Sequence, residues 1–201
     1  STLPLDTSTN NKVNVFGFSS TDKGWVYTGV GSGSCLPDPE KRVGIISGLT
    51  NAGFETNTEL TKKYEEAIPS SDNWFGYDNY GKIIQPANDF YSDSLISQAK
   101  SFSDTAIVVL SRISGENTGE IPETQVDYMS GETDTTRSYL EISAKEEYML
   151  NVVEDNFDKV IVLLNTTNNM ECGFLKDDKI DAAMYVGPTG LCGTESIGNL
   201  L

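Results

Sequence analysis

The spacing of its apolar residues places this chain in the α/β class, as a three-layer sandwich. A mostly parallel sheet of about five or six strands is expected between layers of helices. Three observations carry that expectation. Short apolar runs alternate with stretches of helical spacing, the pattern of parallel strands joined by crossover helices. The central runs are apolar on both faces, as strands of a covered parallel sheet are. Helix-start signals stand ahead of two of the helical stretches.

Taken in order, Lys12–Gly17 reads as a short strand ending at a glycine. A glycine-rich loop follows, Tyr27-Thr-Gly-Val-Gly-Ser-Gly33-Ser-Cys-Leu. Helical spacing then runs from Asp38, a candidate N-cap with Pro39 at the first helical position, to Gly53 just past the end. Phe54 onwards reads as a weak strand and Glu59–Ala67 as a short helix. Ser92–Lys100 restarts a helix, and Thr105–Leu110 is a β-branched strand. Ser143-Ala-Lys-Glu146 has the form of a capping box. Tyr148, Leu150, Val152, Val153 and Phe157 fit an apolar stripe on the helix it opens. Lys159–Asn165 and Asp181–Gly187 read as two more buried strands. Residues 68–91 and 116–138 are polar and irregular, and read as long loop excursions from one domain spanning 1–201.

Composition narrows the function. Hydrophobic residues make up 37% of the chain and charged residues 22%, enough apolar material for a core. The balance of 14 basic to 30 acidic residues gives a formal charge of -16, which argues against nucleic acid or an anionic membrane surface as partners. No apolar run approaches the ~20 residues of a membrane helix. The first residues lack the basic start and apolar middle of a signal peptide, which leaves the compartment open between cytoplasm and exterior. The chain starts without Met and stops at Leu200-Leu201 within helical spacing, so it is expected to be a piece of a longer protein. Histidine is absent, which removes Ser-His and Cys-His catalysis and the commonest zinc sites. Proton transfer is left to Asp, Glu, Lys, Tyr or Cys. Cys35, Cys172 and Cys192 form no metal-spaced set; Cys172 and Cys192 read as a disulfide or as small hydrophobes near the sheet edge.

The stretch Thr105-Ala-Ile-Val-Val-Leu-Ser-Arg-Ile-Ser-Gly-Glu116-Asn117 is a strand that runs out into a loop bearing Arg112 and Glu116. Open α/β sheets bind ligands at the carboxyl ends of their strands. Glu116 is therefore a candidate acid/base or a solvated loop glutamate. Arg112 either touches substrate or closes an ion pair beneath the loop. The Gly29–Gly33 loop before a helix invites a phosphate- or nucleotide-binding reading. It lacks both the Gly-Lys-Ser/Thr ending of a P-loop and the Gly-x-Gly-x-x-Gly spacing, so a tight turn is the alternative. Trp74, Phe75, Tyr77, Tyr80 and Tyr91 are either a sugar-contacting wall or packing for their own loop. Asp127, Glu132 and Asp134 do not follow EF-hand spacing and read as a solvated acidic loop.

The ordered blocks Ala106-Ile-Val-Val-Leu-x-Arg112-x-x-Gly-Glu116, the capping-box helix, Phe157–Asn165 and Ile180–Gly187 resemble the α/β sandwich domain of glycoside hydrolase family 3, the C-terminal domain of β-glucosidase-like enzymes. Val13–Gly17 and the Gly29–Gly33 loop are similar to members in which this domain precedes the barrel. The resemblance implies a separate (β/α)8 barrel that carries an aspartate nucleophile, a carbohydrate substrate, and no cofactor. It also implies that the sandwich domain leans a loop over the sugar pocket. Glu116 falls where that loop's Arg-x-x-Gly-Glu-Gly pattern has its acid/base glutamate. Arg112, Asn117 and Trp74 become candidate sugar contacts. The family loop often continues Gly-x-Asp-Arg, whereas this chain reads Asn117-Thr-Gly-Glu120-Ile-Pro, which makes Glu120 and Glu123 competitors for the acid role. Retaining hydrolysis needs two carboxyl groups ~5–5.5 Å apart. The chain without a barrel is therefore expected to be inactive. A non-catalytic carbohydrate-binding or structural module is the alternative.

Overall fold

The computed structural model describes residues 3–35, 38–68 and 77–201. Strands and helices alternate in chain order. The first part holds β1 (Lys12–Phe16), α1 (Ile45–Asn51), β2 (Glu55–Thr56), α2 (Thr58–Ala67), β3 (Lys82–Ile83) and α3 (Asp93–Phe102). The second holds β4 (Thr105–Leu110), β5 (Gln125–Asp127), β6 (Thr133–Asp134), α4 (Ala144–Asn156), β7 (Lys159–Leu164), β8 (Ala182–Tyr185) and α5 (Thr194–Leu200).

Five strands make one parallel sheet in the order β2-β1-β4-β7-β8. β4 and β7 run side by side from Thr105↔Lys159 to Leu110↔Leu164. Both are apolar on both faces because both faces are covered. Ala106, Val108, Leu110, Val160 and Val162 pack under α2, α3 and α4 through Leu60, Tyr64, Leu95, Ile96, Met149, Leu150 and Val153. Ile107, Val109, Ile161 and Leu163 face the other way, against Ile45 and Leu49 of α1 and Ile197 of α5. This is the expected three-layer α/β sandwich.

Four local expectations are corrected. The first helix starts at Ile45, with Gly44 as N-cap. Asp38 caps only a turn, accepting from the amide of Glu40 at 3.0 Å. The chain leaves that turn because the Val43 amide donates to the Leu191 carbonyl at 2.8 Å. In α4 the inward residue is Met149, whereas Tyr148 is exposed. β8 is an edge strand, so its side chains alternate between half-buried and exposed rather than being buried throughout. The excursions are also not wholly irregular: β3, from the first, pairs with β5 and β6, from the second, in a small three-stranded sheet.

The strand order places β1 beside β4, and the sheet grows in opposite directions from that pair. The crevice at the carboxyl ends of such a pair is the usual ligand position in an open α/β sheet. β4 runs into the loop that carries Glu116 to that edge, with Arg112 buried beneath it.

Candidate functional site

The loops at the carboxyl edge form a cross-braced platform. Asn165, just beyond β7 and fully buried, accepts from the Val26 amide at 2.6 Å. Its amide donates to the carbonyls of Val26 at 3.0 Å and Gly187 at 2.7 Å. Trp25 is completely buried and donates from its indole to Thr189 Oγ1 at 2.8 Å. Thr167 accepts from the Ser114 amide at 2.7 Å and donates to the Ser114 carbonyl at 2.9 Å. Loops after β1, β4, β7 and β8 are thus tied to one another by side chains that have few alternatives.

Glu116 stands at the top of this platform. The glycine-rich loop lies against it through a bridge between Val30 and Gly115. The Val30 amide donates to the Ser114 carbonyl at 3.2 Å, and the Glu116 amide donates to the Val30 carbonyl at 2.9 Å. A β-carbon on Gly31 would lie 2.9 Å from the Glu116 β-carbon, so glycine is what lets the two loops approach. Glu116 Oε2 accepts from the Ser32 amide at 2.9 Å and from the Ser32 hydroxyl. Those two donors, the hydroxyl first, hold the Glu116 carboxyl below the usual glutamate range. The side chain is exposed and borders a shallow groove of about 300 Å³ with Thr28, Gly29 and Ser34. Asn117 follows in the left-handed region, at φ 63°, which asparagine enters more readily than most residues.

The Gly29–Gly33 loop therefore spends its Ser32 amide on the chain's own carboxylate. α1 begins only at Ile45, so the loop does not open a helix as a phosphate-binding loop would.

Arg112 is the opposite of exposed. Its Nε donates to the Tyr139 carbonyl at 2.8 Å, and its Nη1 to the Ser111 carbonyl and Glu146 Oε1, each at 2.8 Å. Nη2 donates to the Glu141 carbonyl at 2.6 Å and to Glu146 Oε2 at 2.8 Å. All five guanidinium hydrogens are used. Burial alone would lower the Arg112 pKa, and the Glu146 charge and hydrogen bonds more than offset it. Of the two roles left open for Arg112, the geometry favours the ion pair beneath the loop. Tyr139 supports the same stem: its hydroxyl accepts from the Ile113 amide at 3.1 Å and donates to the Ile113 carbonyl at 3.2 Å. Burial pushes that hydroxyl up to about 12, so it remains a donor.

The remaining candidates disperse. Glu120 and Glu123 are exposed further along the loop, and among the described residues no hydrogen bond brings either to Glu116. Trp74 and Phe75 lie outside the described residues, as does the Tyr77 side chain. Tyr91 is a core residue whose hydroxyl meets that of Tyr64 at 3.1 Å, and Tyr80 packs edge-on against Tyr139 at 5.4 Å. Asp127 pairs with Lys145 at 2.6 Å, and the described residues contain no group of acids, cysteines or histidines suited to a metal. Cys35, Cys172 and Cys192 are free and exposed, so Cys172 and Cys192 form no disulfide. Reading the sequence alone missed Ser32, Thr167 and Asn165. Ser32 sits between two glycines and carries no local signal. Glu146 was visible only as a helix cap.

The arrangement offers one carboxylate on a braced loop, at the ligand edge of a parallel sheet. All 201 residues match the family model for the glycosyl hydrolase family 3 C-terminal domain. The chain belongs to this family.

Among relatives of the domain, a β-glucosidase from Ruminococcus albus is 32% identical over 199 residues, which cover 99% of this chain and 19% of that protein. A β-glucosidase structure from Paenibacillus barengoltzii superposes with a TM-score of 0.76 at 27% identity, covering 99% of this chain and 20% of that one. β-Glucosidase 3B from Thermotoga neapolitana, solved with α-D-glucose, gives 0.70 at 26% identity over 99% and 26%. The family 3 domain described here thus spans about a fifth to a quarter of the length of these relatives. Among its described residues no helix is long and apolar enough to cross a membrane.

Proposed function

We propose that this domain completes the sugar pocket of a separate barrel in a retaining β-glucosidase-like enzyme, and that Glu116 supplies the proton to the leaving group. The observation that carries this reading is the position of Glu116. It projects from the β4 loop at the ligand edge of the sheet, with Oε2 held by Ser32 and Oε1 free of hydrogen bonds among the described residues. The substrate class, an O-linked β-glucoside, follows the β-glucosidase relatives.

On its own the domain offers a water-exposed carboxylate whose ionised form is favoured, the wrong protonation state for an acid. Docking against a barrel changes both conditions. It removes water from Glu116 and sets a second carboxylate nearby, and each change raises a carboxyl pKa. The domain alone is expected to be inactive, because the nucleophile comes from the barrel. Asn117, beside Glu116, and Trp74 are proposed as sugar contacts.

The test is hydrolysis of aryl β-glucosides by the full-length protein and its Glu116→Gln variant. The variant is expected to lose roughly 10²- to 10⁴-fold on poor leaving groups. Azide is expected to restore turnover on good ones. Wild-type rates in the variant would move the acid role to Glu120 or Glu123. A wild-type protein inert on every glycoside would favour a binding or structural module.

A further inference from the structure

The geometry points to Ser32 as the positioning residue that fixes which oxygen of Glu116 carries the catalytic proton. This inference rests on the reading of Glu116 as the acid/base. Oε2 already accepts two donors from Ser32, the backbone amide at 2.9 Å and the hydroxyl. An oxygen engaged by two donors is the poorer site for a proton, so the proton resides on Oε1. The loops fix where the carboxylate stands relative to Ser32, so whichever oxygen faces Ser32 is the one left without the proton. Gly31 packs against the Glu116 β-carbon, and the Glu116 amide is bound to the Val30 carbonyl at 2.9 Å.

The consequence can be written through both half-reactions. When the glycosidic bond breaks, its electron pair goes to the leaving oxygen, which takes the proton from Oε1. The anomeric carbon bonds to the barrel's carboxylate. Glu116 becomes anionic in that step, and the Ser32 donors strengthen as the charge develops on Oε2. In the second half, water attacks the anomeric carbon, the bond to the barrel carboxylate breaks, and the water's proton returns to Oε1. Ser32 thus assists proton donation, and its contribution is greatest where the leaving group needs most help.

The sign of the pH effect follows from the same bonds. They favour the carboxylate, so their loss raises the Glu116 pKa and leaves the acid protonated to higher pH. Steady-state kinetics of full-length Ser32→Ala, Ser32→Thr and Glu116→Gln test this on aryl β-glucosides of graded leaving-group ability. Ser32→Ala is expected to lose about tenfold in kcat/KM on poor leaving groups, the worth of one hydrogen bond to a charged group. It is expected to change little on good leaving groups and to shift the alkaline limb of the pH profile upward. Ser32→Thr, which keeps the hydroxyl, is expected to restore both. An alkaline limb that stays in place, or an equal loss on all leaving groups that Thr does not rescue, would overturn the role of Ser32 while leaving that of Glu116 intact. Full activity in Glu116→Gln would overturn both, and that outcome is separate from the others.

Discussion

At Gly115 the loop backbone passes so close to Val30 that a β-carbon would lie 1.7 Å from the Val30 carbonyl oxygen. No side-chain adjustment relieves a clash with backbone, so even alanine forces the two loops apart. Gly115→Ala is expected to open the Val30–Gly115 bridge and draw Ser32 away from Glu116. The expected cost is about 1–3 kcal/mol of stability, read by urea unfolding, together with a rate loss on poor leaving groups. Retention of both would show that the loops are not joined in solution as they are here. The neighbouring residues differ in how well they could be read in advance. Gly115, Glu116 and Asn117 lie in one run and were legible as a loop. Ser32 is 84 residues from its partner, and a lone serine in a glycine-rich loop gives no hint of what it binds.

Helix α4 joins the site to the core through one carboxylate. Glu146 closes the capping box with Ser143 and also neutralises Arg112, while being 1% exposed. Removing its charge strands a buried guanidinium and weakens the cap at the same time. Glu146→Gln is expected to cost about 3–5 kcal/mol, measured by denaturant unfolding. A loss under about 1 kcal/mol would put the pair on a par with a surface salt bridge. The cap half of this arrangement was legible because Ser143 and Glu146 are close in sequence. The ion-pair half was not, because the partners are 34 residues apart and pairing depends on where β4 ends. The same reasoning covers other differences. β3 and β6 have two residues each, too few to show a period of two. The α1 start depends on Val43 bonding to Leu191, far along the chain. In α4, Tyr148 and Met149 are adjacent apolar residues, and only packing decides which one turns inward.

Over the whole molecule, the class was legible because β4 and β7 are apolar on both faces and are separated by a capped helix, which together require a covered parallel sheet. The order β2-β1-β4-β7-β8 is where sequence patterning stops, since it says which runs are strands but not which strands touch. The strand pairings are long-range, and so is the scaffold of the site. Asn165 binds Val26 across 139 residues, and Trp25 reaches Thr189 across 164. That span has a kinetic meaning. Contacts of high sequence separation form after the local ones, because the entropy of closing large loops must be met first. The segment that carries Trp25 and leads into Ser32 lacks its anchor until β7 has joined the sheet. The platform should therefore be among the last parts to assemble, after the strands beneath it. Pulse-labelled hydrogen exchange during refolding would show it: protection of the Val26 amide is expected to lag that of Ile161 and Val162 in β7. Simultaneous protection would mean that the near-surface loops are built into the folding nucleus. If the lag is found, a newly synthesised chain holds Ser32 and Glu116 unjoined until the segment through Thr189 is available.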